Sequence, residues 1–514
     1  MAENSVNVEK IKFWMLNGWN ILLEGLHGCG KCLGKGTPVL MYDGSIKKVE
    51  DVKKGDYLMG PDSKPRKVLS TCRGQEKLYE VIPTKGDKYI VNESHILSLK
   101  SCSDFNKDIK KNDVVNVSVR DWLNKNDYFK SRMMGWRTPI SYEYKEVDLD
   151  PYMLGLWLGD GSSATTRITT QDKTIVSFME VFAKNNNLVL NDIKDDNAGN
   201  ASTYSLVVNS DKFKNNNIFR NQLKELELFN NKHIPNIYKA NSYEVRMQLL
   251  AGLLDSDGHR YENCYEISTK YNKLSDDILY LCRSLGFAAY KKESYKSCTN
   301  GKDKSKKKYY RIVISGNTNK IPVKIEYKKC SERMQKKDVL KTGIKLNDIG
   351  VGDYYGFEID GDKLFVLGDF TVTHNTTMIK DACEELGYEI GDEALYFSGA
   401  TLDPYVDFCG IPQKTQDEDG NTVLDFIYPK WIADDKVKVI IIDEYNRAHK
   451  KVRNATMELI QFGSINGRKL KNLKCVVTAI NPANSSEDFD VEELDPAQAD
   501  RFWIQVEVAQ RSFQ

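Results

Sequence analysis

Two short segments that stand far apart in the sequence fit together as one phosphate-binding loop. The first reads Gly25-Leu-His-Gly-Cys-Gly-Lys31 and the second is Thr376-Thr377, with 344 residues between them. Joined directly, they complete the pattern G-x-x-x-x-G-K-[ST], whose backbone amides and lysine hold nucleotide phosphates. The intervening residues, Cys32 to Asn375, interrupt a turn that a nucleotide-hydrolysing protein needs intact. The sequence therefore predicts an insert within a host.

Length and composition are those of an ordinary globular protein. The chain has 514 residues, of which 170 remain when the insert is removed, and this length has room for about three domains. The net charge is +1, so the molecule as a whole is no polycation. No apolar run long enough for a membrane helix occurs, and the N-terminus lacks the order of a signal peptide. These features, with eleven cysteines that we interpret as reduced thiols, favour a cytoplasmic protein.

The sequence pattern changes at both ends of the insert. The insert opens with short alternating runs divided by turn signals, and Val39-Leu-Met41, Tyr42-Asp-Gly44 and Ile46 to Val49 predict a hairpin. Short β runs return after about residue 322. The host instead alternates helix and strand, and the apolar run Trp19 to Leu23 precedes its phosphate loop. A mainly parallel α/β sheet is expected there.

The two ends of the insert resemble the opening and closing blocks of inteins, segments that excise themselves and join their flanks. These blocks are Cys32-Leu-Gly-Lys-Gly-Thr-Pro-Val-Leu-Met-Tyr-Asp-Gly44, Asn92-Glu-Ser-His95, and Gly368-Asp-Phe-Thr-Val-Thr-His-Asn375 followed by Thr376. The resemblance implies an all-β Hint splicing domain, split between residues 32–135 and 322–375, that needs no cofactor.

The intein resemblance also implies catalytic roles for five residues. Cys32 would attack the carbonyl before it and exchange an amide for a thioester. His95 would protonate the departing amide nitrogen, and the hydroxyl of Thr376 would then accept the acyl group. Asn375 would cyclise onto its own carbonyl, with His374 polarising that carbonyl. A final O-to-N shift would leave a peptide bond between the flanks.

Two positions depart from the intein pattern. Asn92 stands where the family often has threonine, although an amide can still donate a hydrogen bond that strains or polarises the scissile peptide. In Tyr355-Gly-Phe-Glu-Ile359, Gly356 takes the place that often holds an acidic residue or a cysteine. Another group is therefore expected to coordinate the steps.

Two further segments resemble the paired helices of LAGLIDADG homing endonucleases, enzymes that cut DNA. They read Leu154-Gly-Leu-Trp-Leu-Gly-Asp160-Gly161 and Leu250-Ala-Gly-Leu-Leu-Asp-Ser-Asp257-Gly258. Gly155 in the first, and Ala251 with Gly252 in the second, would let the helices pack with close backbones. The resemblance implies a nested α/β endonuclease domain in residues 136–321.

The carboxylates that end these motifs carry the chemistry that the resemblance implies. Asp160 and Asp257 would sit side by side as catalytic ligands of Mg²⁺, which activates water in phosphodiester cleavage, and Lys232 of Lys232-His-Ile-Pro235 would assist. Lys291 to Arg311 holds nine lysines or arginines with tyrosines interleaved. This segment is either a hairpin that follows DNA phosphates or a solvated charged loop. The expected partner is double-stranded DNA that encodes the uninterrupted phosphate loop.

The host segments together resemble a MoxR-type AAA+ ATPase, which implies an α/β P-loop domain in residues 1–31 and 376–514. In the joined host, Thr376 and Asp443 would bind Mg²⁺, and Glu444, after the apolar run Val439 to Ile442, would polarise the attacking water. The residues expected to bind ATP are Gly25, Gly28, Gly30, Lys31, Thr376, Thr377 and Asn481.

One further host residue implies an assembly. Arg501, within Leu494-Asp-Pro-Ala-Gln-Ala-Asp-Arg501-Phe502, would act as an arginine finger that reaches the nucleotide of a neighbouring subunit. A homo-oligomeric ring, usually hexameric, with a protein substrate follows from that role.

We therefore predict a self-splicing precursor with three nested units, and two alternatives stay open. One is a DNA-binding ATPase whose insert is a permanent regulatory domain. The other is a splicing intein whose nuclease is inactive. In addition, Cys29 and Cys32 form a C-x-x-C pair, and a disulfide between them would remove the nucleophile and give redox control of splicing.

Overall fold

The amino-terminal segment of the host forms a helix, α1 (Val8–Leu16), and a short strand, β1 (Ile21–Glu24). The structure is a computed structural model that describes residues 8–24, 32–93, 95–107, 109–193, 202–208, 217–296, 307–332, 334–335, 337–374, 378–399, 401–416, 419–480 and 494–507. Both halves of the interrupted phosphate loop, Gly25 to Lys31 and Thr376-Thr377, lie outside the described residues, as does Asn375.

The first part of the insert is mainly β, as its alternating pattern predicts. The expected hairpin is present: Leu40 pairs with Ile46, and Gly44 in its turn has a φ of 84°, a left-handed value that favours glycine. The elements are β2 (Leu33–Gly34), β3 (Pro38–Leu40), β4 (Ile46–Lys48), β5 (Tyr57–Met59), β6 (Pro65–Pro83), β7 (Tyr89–Asn92), β8 (Ile96–Ser101), β9 (Val114–Ser118), α2 (Val119–Asn124), α3 (Asp127–Arg132) and β10 (Met133–Trp136).

The middle of the insert mixes helices and strands. Its elements are α4 (Pro151–Asp160), β11 (Ile168–Thr170), α5 (Lys173–Asn185), β12 (Leu188–Ile193), β13 (Ser202–Val208), α6 (Ile218–Glu225), α7 (Asn236–Lys239), α8 (Tyr243–Ser256), β14 (Gly258–Tyr261), β15 (Cys264–Thr269), α9 (Asn272–Ser284), β16 (Ala288–Lys296) and β17 (Lys307–Ser315). Helices α4 and α8 pack against each other. One antiparallel sheet, in the order β11-β13-β12, contacts α4 and α5, and a second, β14-β15-β17-β16, contacts α8 and α9.

A side-chain cap sets the start of α4, whereas no side-chain hydrogen bond caps the start of α9. Asp150 accepts the N–H of Met153 at 2.8 Å ahead of α4, and Pro151 follows at the first helical position. The cap pattern Ser275-Asp-Asp277 ahead of an apolar stripe predicts a helix start at Ser275, and this prediction is wrong because α9 begins at Asn272. Ser275 is buried inside the first turn, and its hydroxyl donates to the carbonyl of Asn272 at 2.6 Å.

The chain then returns to the first β unit through β18 (Lys341–Thr342), β19 (Ile344–Ile359), β20 (Leu364–Val366) and β21 (Val372–His374). Strand β19 runs antiparallel to β6 from Ile344 opposite Pro83 to Ile359 opposite Val68. The sheets of this unit have the orders β19-β2-β7-β6-β5 and β18-β10-β8-β9. One apolar core contains residues from both segments, so they fold together.

The core around α4 and α8 extends beyond residue 321, where the sequence predicts its end. Val323 and Ile325 are buried in that core. The reason is Asp255, a buried carboxylate at the end of α8 that accepts the N–H groups of Lys324 at 2.6 Å and Ile325 at 3.3 Å. This anchor holds the returning chain against the helix pair.

The host is a parallel α/β unit, as predicted, and strand β1 lies inside its sheet. Every pairing in the order β22-β25-β28-β1-β29 is parallel. Within the described ranges, no helix is both long and apolar enough to cross a bilayer. The host elements after the insert are α10 (Met378–Glu385), β22 (Ala394–Ser398), β23 (Ile411–Gln416), β24 (Thr422–Ile427), α11 (Lys430–Asp434), β25 (Val439–Asp443), α12 (Lys450–Phe462), β26 (Ser464–Ile465), β27 (Arg468–Lys469), β28 (Cys475–Ile480), α13 (Pro496–Ala499) and β29 (Ile504–Glu507).

Candidate functional site

The amide that would be cut at the start of the insert is held by Asn92. The backbone N–H of Cys32 donates to Oδ1 of Asn92 at 2.9 Å, and the N–H of Asn92 donates to the carbonyl of Cys32 at 3.2 Å. Cys32 and Asn92 are both buried. Within the described residues, the Asn92 side chain thus accepts the N–H of the scissile peptide, and the carbonyl of Lys31, to which the predicted donation would go, lies outside them.

A carboxylate fixes the orientation of this amide. Nδ2 of Asn92 donates to Oε2 of Glu76 at 2.6 Å. An ionised carboxylate can only accept hydrogen bonds. Glu76 therefore binds the NH₂ group of Asn92 and leaves Oδ1 directed at the N–H of Cys32.

His95 connects the opening block to the closing block. Its backbone N–H donates to the carbonyl of Asn92 at 3.2 Å, and its Nε2 lies 2.6 Å from Oγ1 of Thr373. Thr373 directly precedes His374, whose strand β21 pairs with β20. His95 and His374 are both buried. Residues from the two ends of the insert thus meet in one interior, whereas Asn375 and Thr376 lie outside the described residues.

The sulfur of Cys32 faces a second thiol that the sequence did not single out. Sγ of Cys72, on β6, lies 3.7 Å from Sγ of Cys32. A Cβ added at Gly356 would lie 2.4 Å from the Cys32 sulfur and 3.0 Å from the Cys72 sulfur. The missing side chain at Gly356 therefore makes room for the Cys72 thiol beside the nucleophile. The pairing of Gly356 with Cys72 across β19 and β6 creates this arrangement.

A second site lies where α4 and α8 end together. A Cβ at Gly155 would come within 2.4 Å of the Leu249 carbonyl oxygen, and one at Gly252 within 2.2 Å of the Tyr152 carbonyl oxygen. The two backbones are in direct contact, as the small residues predict. Asp160 and Asp257 consequently meet at the carboxyl ends of the pair.

These two carboxyl groups are close enough to hydrogen-bond, so one proton can be shared between them. Desolvation, and then the charge of Asp257 and a hydrogen bond to it, raise the pKa of Asp160 to about 7. Desolvation also raises the pKa of Asp257, although part of its side chain stays open to solvent. Such a pair fits Mg²⁺, which uses one or two carboxylates together with water and phosphate oxygens. In the described part of the chain, no cluster of three or more histidine, cysteine or acidic side chains could hold a metal ion.

The shifted pKa of Asp160 predicts how the stability of the metal-free protein depends on pH. The folded state keeps a proton up to about pH 7 that the unfolded chain releases near pH 4. Stability therefore falls as pH rises through this window. We expect Asp160→Asn to raise the Tm of the insert at pH 8 in EDTA by about 2–4 °C, and by less at pH 5, as measured by calorimetry. An equal gain in Tm at both pH values would contradict the shared proton. The matched control is Glu180→Gln, which removes an exposed carboxylate on α5.

Two lysines cap the ends of the helix pair in the same way. Nζ of Lys232 donates to the carbonyls of Leu158, Gly159 and Gly161 at 2.9, 3.0 and 2.7 Å, and desolvation lowers its pKa to about 8. Nζ of Lys328 donates to the carbonyls of three α8 residues at 2.7 to 3.0 Å, and desolvation lowers its pKa as well. The sequence predicted only Lys232. The only signal for Lys328 in the sequence was the internal repeat. Asp257 follows Asp160 by 97 residues, and the same spacing counted from Lys232 ends one residue past Lys328.

The described part of the basic segment forms two antiparallel strands, β16 and β17, which agrees with the hairpin, one of the two alternatives that the sequence leaves open. Several of its cations are engaged in ion pairs within the protein. Lys308 contacts Glu293 at 2.6 Å, Lys291 contacts Asp276, and Arg311 contacts Glu266. Tyr295 is exposed beside them. Part of the positive charge is thus neutralised locally before any DNA binds.

In the host, two acidic residues stand at the carboxyl end of a central strand. Asp443 ends β25 and accepts the hydroxyl of Tyr396 at 2.5 Å. Glu444 has a φ of 50° and accepts from Nη1 of Arg447 at 2.9 Å. This edge of a parallel sheet is where open α/β sheets bind ligands. Arg501 is exposed after α13, and Asn481 lies outside the described residues, as do the residues of the phosphate loop.

Comparisons with known proteins assign two parts of the insert. A family model described as Hom_end-associated Hint matches residues 32–145, and one described as Homing endonuclease matches residues 233–341. The replicative DNA helicase DnaB of Mycobacterium intracellulare is 25% identical over 387 residues, covering 70% of this chain and 61% of the helicase. The homothallic switching endonuclease of Saccharomyces cerevisiae is 25% identical over 248 residues, covering 42% of each protein.

A solved structure gives a weaker similarity. The homing endonuclease I-DmoI in complex with DNA and Mn is 16% identical and covers 32% of this chain and 88% of its own, with a TM-score of 0.22. The chain spans less than two thirds of the length of the curated relatives it matches. The two family models nevertheless support the coarser class, an insert with a Hint domain and a homing endonuclease domain.

Proposed function

We propose that the protein is a self-splicing precursor in which Cys32 to Asn375 excises itself and joins Lys31 to Thr376. The observation that carries this proposal is the contact between the N–H of Cys32 and Asn92, in a core where His95 also contacts Thr373 of the closing block. Asn92 contacts the nitrogen of the bond that must break first, and His95 links the opening block to the closing block.

The first step uses the residues around that bond. The sulfur of Cys32 attacks the carbonyl carbon of Lys31, a C–S bond forms, and the C–N bond to Cys32 breaks. Asn92 holds the scissile nitrogen in place through its N–H. The departing nitrogen needs a proton, which His95 supplies as general acid. The product is a thioester with a new amino group on Cys32.

The remaining steps use the closing block. The hydroxyl of Thr376 attacks the thioester, releases the Cys32 thiol and forms a branched ester. The side-chain nitrogen of Asn375 attacks its own backbone carbonyl, polarised by His374, and the bond to Thr376 breaks. The amino group of Thr376 then attacks the ester, which leaves an ordinary peptide bond between Lys31 and Thr376.

Ligation rebuilds a phosphate loop in a MoxR-like AAA+ host. The loop follows β1, a strand inside the parallel sheet, so it would open on the edge that carries Asp443. In the joined host Asp443 and Thr376 would hold the Mg²⁺ that accompanies ATP, and Glu444 would polarise the attacking water. Asn481 orients that water, and Arg501 reaches the nucleotide of a neighbour in a ring that acts on a protein substrate.

The insert also acts on DNA in this proposal. Asp160 and Asp257 would hold Mg²⁺, and the bound ion would supply an activated water and stabilise the leaving oxygen in phosphodiester cleavage. Lys232 and Lys328, buried beside the pair, offset the negative charge that gathers there. The substrate is double-stranded DNA that encodes the host without the insert. This arrangement favours an active nuclease over a purely structural one.

Asn92 gives a test of the splicing site. We expect Asn92→Ala to slow cleavage at Lys31–Cys32 by about 10–100-fold, because the scissile amide loses the group that holds it. The measurement is the rate of hydroxylamine cleavage in a precursor that also carries Asn375→Ala and Thr376→Ala, so that only the first step remains. Asn124→Ala, an exposed asparagine on α2, is the matched control. Equal rates in the two variants contradict the role of Asn92.

A further inference from the structure

A tyrosine from the homing endonuclease segment lies against the closing block of the insert. Tyr280, on α9, packs edge-to-face on Phe370, with ring centroids 5.0 Å apart and ring planes at 76°. We propose that Tyr280 is a positioning residue for the last cleavage of splicing, and that it acts through Phe370 on the strand that carries His374. This inference rests on the proposed splicing function and assigns part of that reaction's support to the second domain.

Phe370 has a backbone conformation that few bulky residues adopt. Its φ is 71°, in the left-handed region, which is unfavourable for an aromatic residue. Such a conformation persists only where the surrounding structure holds it. The side chain of Phe370 is fully buried in an apolar cluster that combines Tyr280 with residues of the β unit, among them Leu40, Met59 and Trp136. Tyr280 is thus one of the groups that hold Phe370 in place.

The conformation of Phe370 sets the position of the strand that follows it. Phe370 lies in the turn between β20 and β21, and its N–H donates to the carbonyl of Leu367 at 2.8 Å. This turn fixes the register in which Leu364 lies opposite His374. A change in the turn would therefore displace His374, the residue that polarises the carbonyl of Asn375 in the proposed reaction.

Tyr280 is itself held firmly within the endonuclease core. Its hydroxyl lies 2.5 Å from the hydroxyl of Tyr142, and its side chain is buried. One turn further along α9, Arg283 forms an ion pair with Asp87, in the loop between β6 and β7. Helix α9 therefore contacts the splicing domain at two separate points and acts as a rigid support for the closing turn.

The step that this support assists is the cyclisation of Asn375. The side-chain nitrogen of Asn375 bonds to the backbone carbonyl carbon of the same residue, and the bond from that carbon to the nitrogen of Thr376 breaks. The proton that the side-chain nitrogen loses goes to the nitrogen of Thr376. The rate depends on how His374 is placed at that carbonyl, whereas the thioester forms at the other junction. The two junctions should therefore respond differently to a change at Tyr280.

The test follows each junction alone in the full-length precursor. With Cys32→Ala, only cyclisation can cut the chain, and the release of residues 376–514 is followed by mass spectrometry. With Asn375→Ala and Thr376→Ala, only the thioester can form, and hydroxylamine cleavage reports it. We expect Tyr280→Ala to slow the release about tenfold and to change hydroxylamine cleavage by less than about twofold. Tyr280→Phe, which keeps the ring, should release at the parental rate.

Two further variants separate positioning from a general loss of stability. Tyr265→Ala removes a buried ring from the core around α4 and α8 and should leave the rate of release unchanged. In a precursor that carries Phe370→Ala, the addition of Tyr280→Ala should slow the release no further, because Tyr280 acts through Phe370.

Three results would overturn the role of Tyr280. They are release from Tyr280→Ala at the parental rate, slowing of both cleavages by the same factor, and slowing by Tyr265→Ala as strong as that by Tyr280→Ala. Should Tyr280→Ala be insoluble, Tyr280→Leu, which fills more of the cavity, is judged by the same criteria. A Cys32→Ala precursor that releases nothing refutes the splicing function, and this inference with it.

Discussion

Replacing Cys32 with alanine is expected to abolish cleavage of the Lys31–Cys32 bond and, with it, all splicing. The thiol is the only group on that residue that can attack the preceding carbonyl, and no later step can begin without the thioester. We expect the rate of ligation to fall on the order of 10³-fold or more, as when a catalytic nucleophile is removed. Intact mass measured over time, on precursor purified under reducing conditions, gives this rate directly.

The matched control is Cys102→Ala. Cys102 is a partly exposed thiol in the same domain, and its sulfur contacts a backbone carbonyl on α3 at 4.0 Å. The Cys102→Ala precursor should splice at the rate of the unmodified chain. Ligated product from the Cys32→Ala precursor contradicts the assignment of the nucleophile, whatever the control shows.

Replacing Asp257 with asparagine is expected to abolish DNA cleavage while splicing continues. The change removes one of two carboxylates that would hold Mg²⁺, and we expect a loss on the order of 10³-fold. Splicing should be unchanged because Asp257 lies at the helix ends of the endonuclease core, and the reacting thiol lies in the β core. The substrate is a plasmid that carries the host gene without the insert, and cleavage is read on a gel at several Mg²⁺ concentrations.

The pH dependence of this cleavage follows from the proton that the pair shares. Asp160 has a pKa of about 7 and must lose its proton before it can hold a metal ion. The cleavage rate at limiting Mg²⁺ should therefore rise about tenfold from pH 6 to pH 8. Glu180→Gln should behave as the unmodified chain does. Full cleavage by Asp257→Asn would show that the pair has no catalytic role.

The elements that the sequence predicted well are those with local signals. Helices α4 and α8 follow from apolar runs that contain glycine. Their close contact follows from Gly155 and Gly252, because a side chain at either position would collide with the backbone of the other helix. The host sheet follows from alternating helix and strand patterns. In each case, the residues that decide the structure stand within one short segment.

Features that depend on pairing between distant strands could not be predicted. Gly356 was identified as a departure from the intein pattern, but the thiol that fills its place belongs to Cys72, which only the register of β19 against β6 brings there. The acceptor role of Asn92 likewise depends on Glu76, a residue on a neighbouring strand. Sequence spacing carries no information about either contact.

Lys328 was missed for a different reason. Lys328 caps the end of α8 as Lys232 caps the end of α4, and each lysine donates to three backbone carbonyls at the end of its helix. No motif surrounds Lys328 comparable to the one around Lys232, so the repeat spacing was its only signal. The end of the endonuclease core was placed too early because Asp255, not the sequence pattern, anchors the following chain.

The intact mass of the unmodified chain tests the central claim most directly. The protein is kept reduced at neutral pH, and its mass is followed from the earliest point after synthesis. We predict two products, an excised segment of 344 residues and a ligated host of 170 residues, whose peptides include one that runs from Gly30-Lys31 directly into Thr376. A single polypeptide that remains at 58.7 kDa, with every peptide across both junctions intact, would contradict it.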